Sequence, residues 1–353
     1  MRFPEHYKKQ ENFRFRSHEQ FVVNLVAPLI REGKSVQIGT HDGKFHADEL
    51  MAIAILMLLI STLGGKWQIH RLNRDDQNAL NGMDILVDIG REFDPSSGRF
   101  DHHQAGGAGY RWTENGVDIP FSSCGLVWWC CGLFLSGEDV SVFNLIDEDI
   151  VRDIDASDNA VTMPNGYRFK DQHGIQREVN GSPSHISGEL GAMNGLPASD
   201  PVLGQIYNPE APKAEQRLAK FHLALQRAYT TLVCHRERAM KTPEARQAIE
   251  NAMAEMEDGV LVLPKMPWEI LFKVPGCQKV RIIVRKVSEG YEIRCLQGLK
   301  APEAWCSLSN GELLETQDLK FCHHSGQILG AETKEAALEA AQKILEHSHK
   351  AAA

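Results

Sequence analysis

The sequence contains no CxxC pair and no cysteine spacing of the zinc-ribbon or zinc-finger kind; apart from the adjacent Cys130 and Cys131, its eight cysteines stand singly. Those thiolate metal sites are therefore excluded, and the cysteines read as reduced, mostly buried thiols of a cytoplasmic protein. A membrane span is also lacking. The longest apolar run, from Leu50 to Leu63 with Ser61 and Thr62 near its end, falls short of the roughly 20 residues a helix needs to cross a bilayer. It reads as a buried helix, and no membrane partner is expected. The first 35 residues mix basic side chains with Glu5, Glu11 and Glu19, and no apolar stretch with a cleavage site follows; an export signal is not expected. Positive charge is in deficit too. A formal net charge of −9 opposes non-specific binding to nucleic acid, because affinity for phosphate backbones comes from Lys and Arg displacing counterions.

Against these absences, 353 residues at 42% hydrophobic content are enough for one large or two ordinary domains with a sizeable core. Charge is unevenly spread. Between Lys265 and Lys300 there are eight Lys or Arg against three Glu, a local excess able to receive a polyanion, with Arg281 and Arg285 as candidate contacts. The competing reading is the solvated face of a small sheet.

From Val36 onward short β-like runs alternate with helical ones: Val36 to Thr40, a helix from about Ala47 to Leu63, Trp67 to Leu72, a short helix, and Ile85 to Ile89. The alternation predicts an α/β fold with a mostly parallel sheet and flanking helices. Functional groups then belong at the carboxyl ends of the strands. Thr40-His41-Asp42-Gly43, Asp88-Ile89-Gly90 and Asp101-His102-His103 all fall there. Helical patterns resume at Ser122 to Leu135 and Asp139 to Ile154, the second delivering Asp153, Asp155 and Asp158 near its end. Residues Thr162 to Pro212, rich in Gly, Pro, Ser and Asn, predict loops with short helices. The expected organisation is an extension over 1–35, a catalytic domain over 36–212 and a helical connector over 213–257, interrupted near Pro243. A smaller mixed α/β domain over 258–353 completes it, with strands at Val260 to Leu263, Val280 to Val287, Tyr291 to Leu296 and Lys320 to His323 and a helix from Thr333 to His347.

Carboxylate and imidazole hold hard or borderline divalent metals, and a pair of such ions activates water while neutralising a phosphate undergoing displacement. The stretch His41-Asp42-Gly43-Lys44-Phe45-His46-Ala47-Asp48-Glu49 offers two imidazoles and several carboxylates in a loop entering a helix. Asp88 ends the apolar strand Ile85-Leu86-Val87, where an acid needs a partner to offset its desolvation; a turn or cap is the bland alternative. The run Asp101-His102-His103 is able to supply a ligand, a phosphate contact and a group that orients another.

In this order the motifs resemble the melanocyte-proliferating-gene family among the DHH-type phosphoesterases, which includes exonucleases acting on RNA. The resemblance is carried by Thr40-His41-x-Gly43-x-Phe45-His46-x-Asp48-Glu49, Val87-Asp88-Ile89-Gly90, Phe100-Asp101-His102-His103-Gln104 and Asp155-Ala156-x-Asp158-Asn159, and continues through Pro267-Trp268 and His323-x-Ser325-Gly326. It implies two divalent ions, manganese first and magnesium second, held by His41, His46, Asp48, Asp88 and His102. Asp155 closes the set, and Asp158 competes with it for that place. The resemblance further implies His103 and Asp101 as catalytic groups, with His103 facing the substrate phosphate, and His323, Ser325 and Gly326 as substrate contacts from the small domain. The expected activity is phosphodiester hydrolysis on single-stranded RNA or a short oligonucleotide. A small-molecule phosphatase and a non-catalytic metal-binding module are the alternatives, and a homo-oligomer is left open.

Overall fold

The computed structural model describes residues 17–111, 119–161, 166–170, 176–180, 185–197, 211–308 and 319–352. The chain divides into two compact units after Met240. In the first unit, β1 (Ser35–His41), β2 (Lys66–Leu72), β3 (Ile85–Val87), β4 (Phe93–Asp94) and β5 (Arg99–Phe100) form one sheet in the order β2-β1-β3-β5-β4. β1 runs parallel to β2, from Ser35 opposite Lys66 to His41 opposite Leu72, and parallel to β3. β3 is parallel to β5, and only the edge strand β4 is antiparallel. The α/β class and the parallel sheet read from the alternating pattern are thus the observed ones. Their consequence is positional: β1, β3 and β5 are neighbours pointing one way, so the residues following each of them line one edge.

The helix Ala47–Thr62 is buried on nearly every side, because its sequence is apolar all round after the first turn. The helices Ser123–Leu135 and Lys213–Met240 pack against it and share its core. The predicted helix over Asp139 to Ile154 runs further, as Val140–Ile146, Asp147–Val151 and Arg152–Asp158, which carries Asp158 to its last turn. No helix of the described residues is long and apolar enough to cross a membrane.

Three expected segments are organised otherwise. Residues 1–16 of the supposed extension lie outside the described residues, but Glu19–Val26 and Ala27–Arg31 are helical and belong to the core. Phe21 is fully buried and meets Phe100 edge-on, ring centroids 4.7 Å apart. The supposed connector over 213–257 is divided, because its two helices bury different faces. Lys213–Met240 sends Phe221, Ala224, Leu225, Ala228 and Leu232 into the first core, while Thr242–Ala254 sends Ile249 in with Leu261 and Leu263 of the second unit. Within Thr162 to Pro212, the strands Gly166–Lys170 and Gln176–Asn180 pair antiparallel and His185–Ala192 is helical; the remainder lies largely outside the described residues.

The second unit is a five-stranded mixed sheet in the order Val260–Leu263, Ile282–Lys286, Tyr291–Cys295, Ile328–Ala331, Leu319–Cys322. Its first pair is parallel and the others antiparallel. The helix Lys334–Ala352 covers one face with Ala336, Ala337, Ala340, Ala341 and Ile344. Ile328–Ala331 is a strand the sequence pattern did not reveal, since Gly330 interrupts its β signal.

Gly98 fixes the turn that feeds β5. It sits at φ 72°, and a Cβ there would run into the backbone oxygen of Asp84 and touch Leu25. Gly98→Ala is expected to lower stability by about 2–3 kcal/mol, combining a left-handed backbone penalty with a backbone clash. Urea unfolding of the metal-free protein measures it, and an unchanged midpoint would show that the turn relaxes freely.

Candidate metal centre

The sheet edge and two helix ends assemble the site. His41 ends β1, Asp88 follows β3, and Asp101, His102 and His103 follow β5. Asp48 and Glu49 lie in the first turn of Ala47–Thr62, and Asp158 in the last turn of Arg152–Asp158. Asp88 adopts φ 56°, a left-handed conformation that aspartate tolerates better than most residues at some cost in strain. Its N–H donates to Phe100 O at 3.1 Å, so the turn is tied to the neighbouring strand.

His41 Nε2 lies 2.8 Å from Glu49 Oε2 and 3.1 Å from Asp88 Oδ2, and Thr40 Oγ1 donates to the same Glu49 oxygen at 2.6 Å. Burial pulls the His41 imidazole down, but its hydrogen bonds to Asp88 and Glu49 outweigh this and raise its pKa to about 9. His103 Nδ1 lies 2.8 Å from Asp101 Oδ1 and 3.3 Å from Asp88 Oδ1, and these contacts, Asp101 first, raise it to about 10. Asp101 is fixed in turn by the N–H groups of Arg91, at 2.6 Å, and His103, at 3.0 Å. Burial works to raise the pKa of both Asp101 and Asp88. Hydrogen bonds hold Asp101 below the ordinary carboxylate value, and the three surrounding imidazoles hold Asp88 well below it.

Asp48 behaves oppositely. Burial, then the charges of Asp88, Asp158 and Glu49, push its carboxyl well above the usual range. Burial also raises Asp158, against the pull of His102. His102 Nε2 faces three carboxylates, 3.2 Å from Asp158 Oδ2, 3.6 Å from Asp88 Oδ1 and 3.9 Å from Asp48 Oδ2. Among the described residues, His102 Nε2, Asp88 Oδ1 and both Asp48 oxygens are nonetheless buried without a hydrogen-bond partner. Buried polar atoms are rarely left so, and here four of them converge. Three groupings bring ligand atoms within 4.8 Å of one another: His41, His46 and Asp88; Asp88, His102 and His103; and His46, Asp48 and Asp158. Imidazole nitrogen and carboxylate oxygen suit a borderline or hard dication, and the buried carboxylates gathered around them favour positive charge. The residues therefore fit a metal centre.

Asp155, placed by motif position in the ligand set, is instead engaged elsewhere. It is fully buried, and its Oδ1 accepts from Ser122 N, Ser122 Oγ and Gly125 N at 3.0, 2.6 and 3.0 Å. Its Oδ2 accepts from Arg111 Nε and Nη2 at 3.2 and 2.7 Å. Arg111 also pairs with Asp147. Five donors occupy the Asp155 carboxylate, while Asp158, three residues and about 4.5 Å further along the same helix, lies against His102. Gly125 completes the arrangement, since any Cβ there would overlap the Asp155 carboxylate.

Sequence reasoning gives Glu49 no task and does not single out Arg111, Arg71 or Asn194. Arg71 donates to His41 O at 3.0 and 2.8 Å and to Gly43 O at 2.7 Å, with its guanidinium 4.4 Å from the centre of the Phe221 ring. Asn194 brackets Phe45, accepting from its N–H at 3.2 Å and donating to its carbonyl at 2.8 Å. Both hold the first-motif loop. Their sequence signal is nil, because a lone polar residue in a strand or loop has no periodic partner.

The expected substrate contacts lie in the second unit. His323 Nδ1 and Ser325 Oγ are 2.9 Å apart in one turn, which Gly326 closes at φ 67°. Arg285 is bound to Glu292 at 3.0 Å. Arg281 donates to Ser348 Oγ at 3.0 Å.

Fold and site together define an α/β protein with a histidine–aspartate candidate metal centre on the carboxyl edge of a parallel sheet. The chain belongs to the MYG1_exonuc family, described as "Uncharacterised protein family (UPF0160)", whose model matches residues 37–345; this is the family the motifs resembled. It is 27% identical to the mouse "MYG1 exonuclease" over 91% of this chain and 86% of that protein. It is 26% identical to the Dictyostelium discoideum "MYG1 protein" over 89% of this chain and 97% of that one. Among solved structures, RecJ with Mn2+ from Thermus thermophilus aligns at 17% identity over 93% of this chain and 55% of that chain, with a TM-score of 0.23.

Asp155→Asn and Asp158→Asn separate support from ligation. Asp158→Asn is expected to lower bound manganese while leaving the metal-free protein as stable as before, since it removes a like charge from a crowded site. Asp155→Asn, which weakens the pairing of a buried guanidinium, is expected to cost about 3–5 kcal/mol with normal metal content per folded molecule. Metal analysis and denaturant melts on both variants decide it; the reverse pattern would return Asp155 to the ligand set.

Proposed function

We propose that this protein is a metal-dependent phosphodiester hydrolase that acts as an exonuclease on RNA or short oligonucleotides. The observation that carries the reading is the group of buried, unpartnered ligand atoms on Asp48, Asp88 and His102, at the edge where parallel α/β sheets place their chemistry. The name of the mouse relative, "MYG1 exonuclease", supports the same class.

His41, His46, Asp48, Asp88, His102 and Asp158 are the proposed ligands, with manganese the preferred ion. Divalent cations there supply Lewis acidity and charge to neutralise a phosphodiester and to acidify water. The chain's own contribution is placement. Asp88 is fixed by its strand-end turn and meets His41 and His103 with different oxygens, so it is suited to bridging. Glu49 and Thr40 orient His41. Asp101 holds His103 through Nδ1, leaving Nε2 of this half-exposed ring to donate to a substrate oxygen.

Protein stripped of metal is expected to be inactive and to regain hydrolysis of single-stranded RNA with manganese more readily than with calcium, because imidazole ligands disfavour an all-oxygen calcium geometry. Undiminished turnover in excess chelator, after verified metal removal, would end this reading.

His103→Ala is expected to keep near-normal metal content while turnover falls by about a hundredfold, the scale for one preorganised transition-state donor. Asp88→Asn is expected to lower both metal content and turnover. Metal analysis and kinetics on the folded variants check this, and normal values for both quantities in Asp88→Asn would refute the site.

A further inference from the structure

Beside the candidate centre the first unit carries a second concavity of different chemistry. Its volume is about 690 Å3, within the range of small-molecule sites, and Phe93, Tyr110, Phe121 and Trp129 wall it. Gln104 also lines it and follows His103 in the chain, their Cα atoms about 3.8 Å apart, so the cavity adjoins the segment that carries the exposed imidazole of the centre. Gly107, Ala108 and Gly109 form the wall between Gln104 and Tyr110 and fill little of the space.

Three properties define what it takes. The wall is aromatic: the Phe121 and Trp129 rings lie 5.6 Å apart, and Tyr110 is 57% exposed, a large ring standing in solvent. The lining carries no cation. Its charged residue is Asp94, whose oxygens already accept from Ser96 and Ser97, and no lysine or arginine lines it among the described residues. The lining therefore offers a phosphate no counter-charge, and its aromatic wall suits a flat neutral group. Finally, Gln104 Oε1 is buried and has no hydrogen-bond partner among the described residues. An amide carbonyl beside aromatic rings matches the exocyclic amine of a base.

We propose that this cavity is a nucleobase subsite, seating the base of the nucleotide whose phosphate lies at the metal centre, stacked on the aromatic wall and donating to Gln104. The inference rests on the hydrolase reading and narrows it to nucleotides over base-free phosphodiesters. Calorimetric titration of the manganese-loaded protein with adenosine 5′-monophosphate and with ribose 5-phosphate tests it. The nucleotide is expected to bind about tenfold or more tightly than the sugar phosphate, the scale of one stacked base. Tyr110→Ala, a change at an exposed ring, is expected to remove most of that advantage and leave ribose 5-phosphate binding unchanged. Equal affinity for the two ligands, no binding of either, or equal weakening of both by Tyr110→Ala would overturn the subsite. Base-dependent binding by a protein that cleaves no phosphodiester would uphold the subsite and overturn the hydrolase reading. Metal-dependent cleavage with base-independent binding would do the reverse.

Discussion

Negative charge confined in a low-dielectric edge governs this structure. Asp48, Glu49, Asp88, Asp101 and Asp155 are all buried, and an unpaired buried carboxylate is among the costliest groups a fold can contain. The outcome at each depends on who faces it. Asp88 meets imidazoles and stays ionised, whereas Asp48 meets other carboxylates and is driven toward protonation. Two aspartates a few ångströms from a common histidine thus differ in behaviour through their surroundings alone, and the difference marks where positive charge is still wanted.

Around that edge, the fold converts strand geometry into fixed side-chain positions. The guanidinium of Arg71 grips the carbonyls at the end of β1, and Asn194 grips the loop beyond it. On the other side Arg111, Asp147 and Asp155 form a buried ionic knot with Ser122 and Gly125. This knot ties the residues before Ser123–Leu135 to the Arg152–Asp158 helix, which carries Asp158. A buried pair of this kind adds little net stability compared with apolar packing, but losing one member is severe. Its value here is registry, since it sets the rotation of the helix that points Asp158 at His102.

Much of this is legible in the chain. Apolar runs ending in His41 and Asp88 reveal a parallel sheet and its candidate edge, because strand period and strand length survive in sequence. What fails to show has physical causes. Asp155 and Asp158 carry the same side chain, and only the helix phase, set by the distant Arg111, distinguishes them. Arg111 itself stands alone in the sequence and looks like an ordinary surface cation. The split of the supposed connector depends on which core each helix buries, and both helices share one amphipathic pattern. The helical segments before Ser35 read as an extension because they are short and the aromatic partner of Phe21, Phe100, lies far along the chain.

The helix Ala47–Thr62, apolar on every side, bears on how the chain is made. Ribosomes deliver it early, immediately after the His41–Glu49 motif, whereas Lys213–Met240, which packs against it, emerges last in the first unit. Until then the nascent polypeptide displays a sticky hydrophobic rod beside carboxylates that lack their companions, the kind of species that aggregates or recruits chaperones. A message truncated before Lys213 therefore encodes a fragment that holds every candidate ligand up to Asp158 yet lacks the partner that covers this helix.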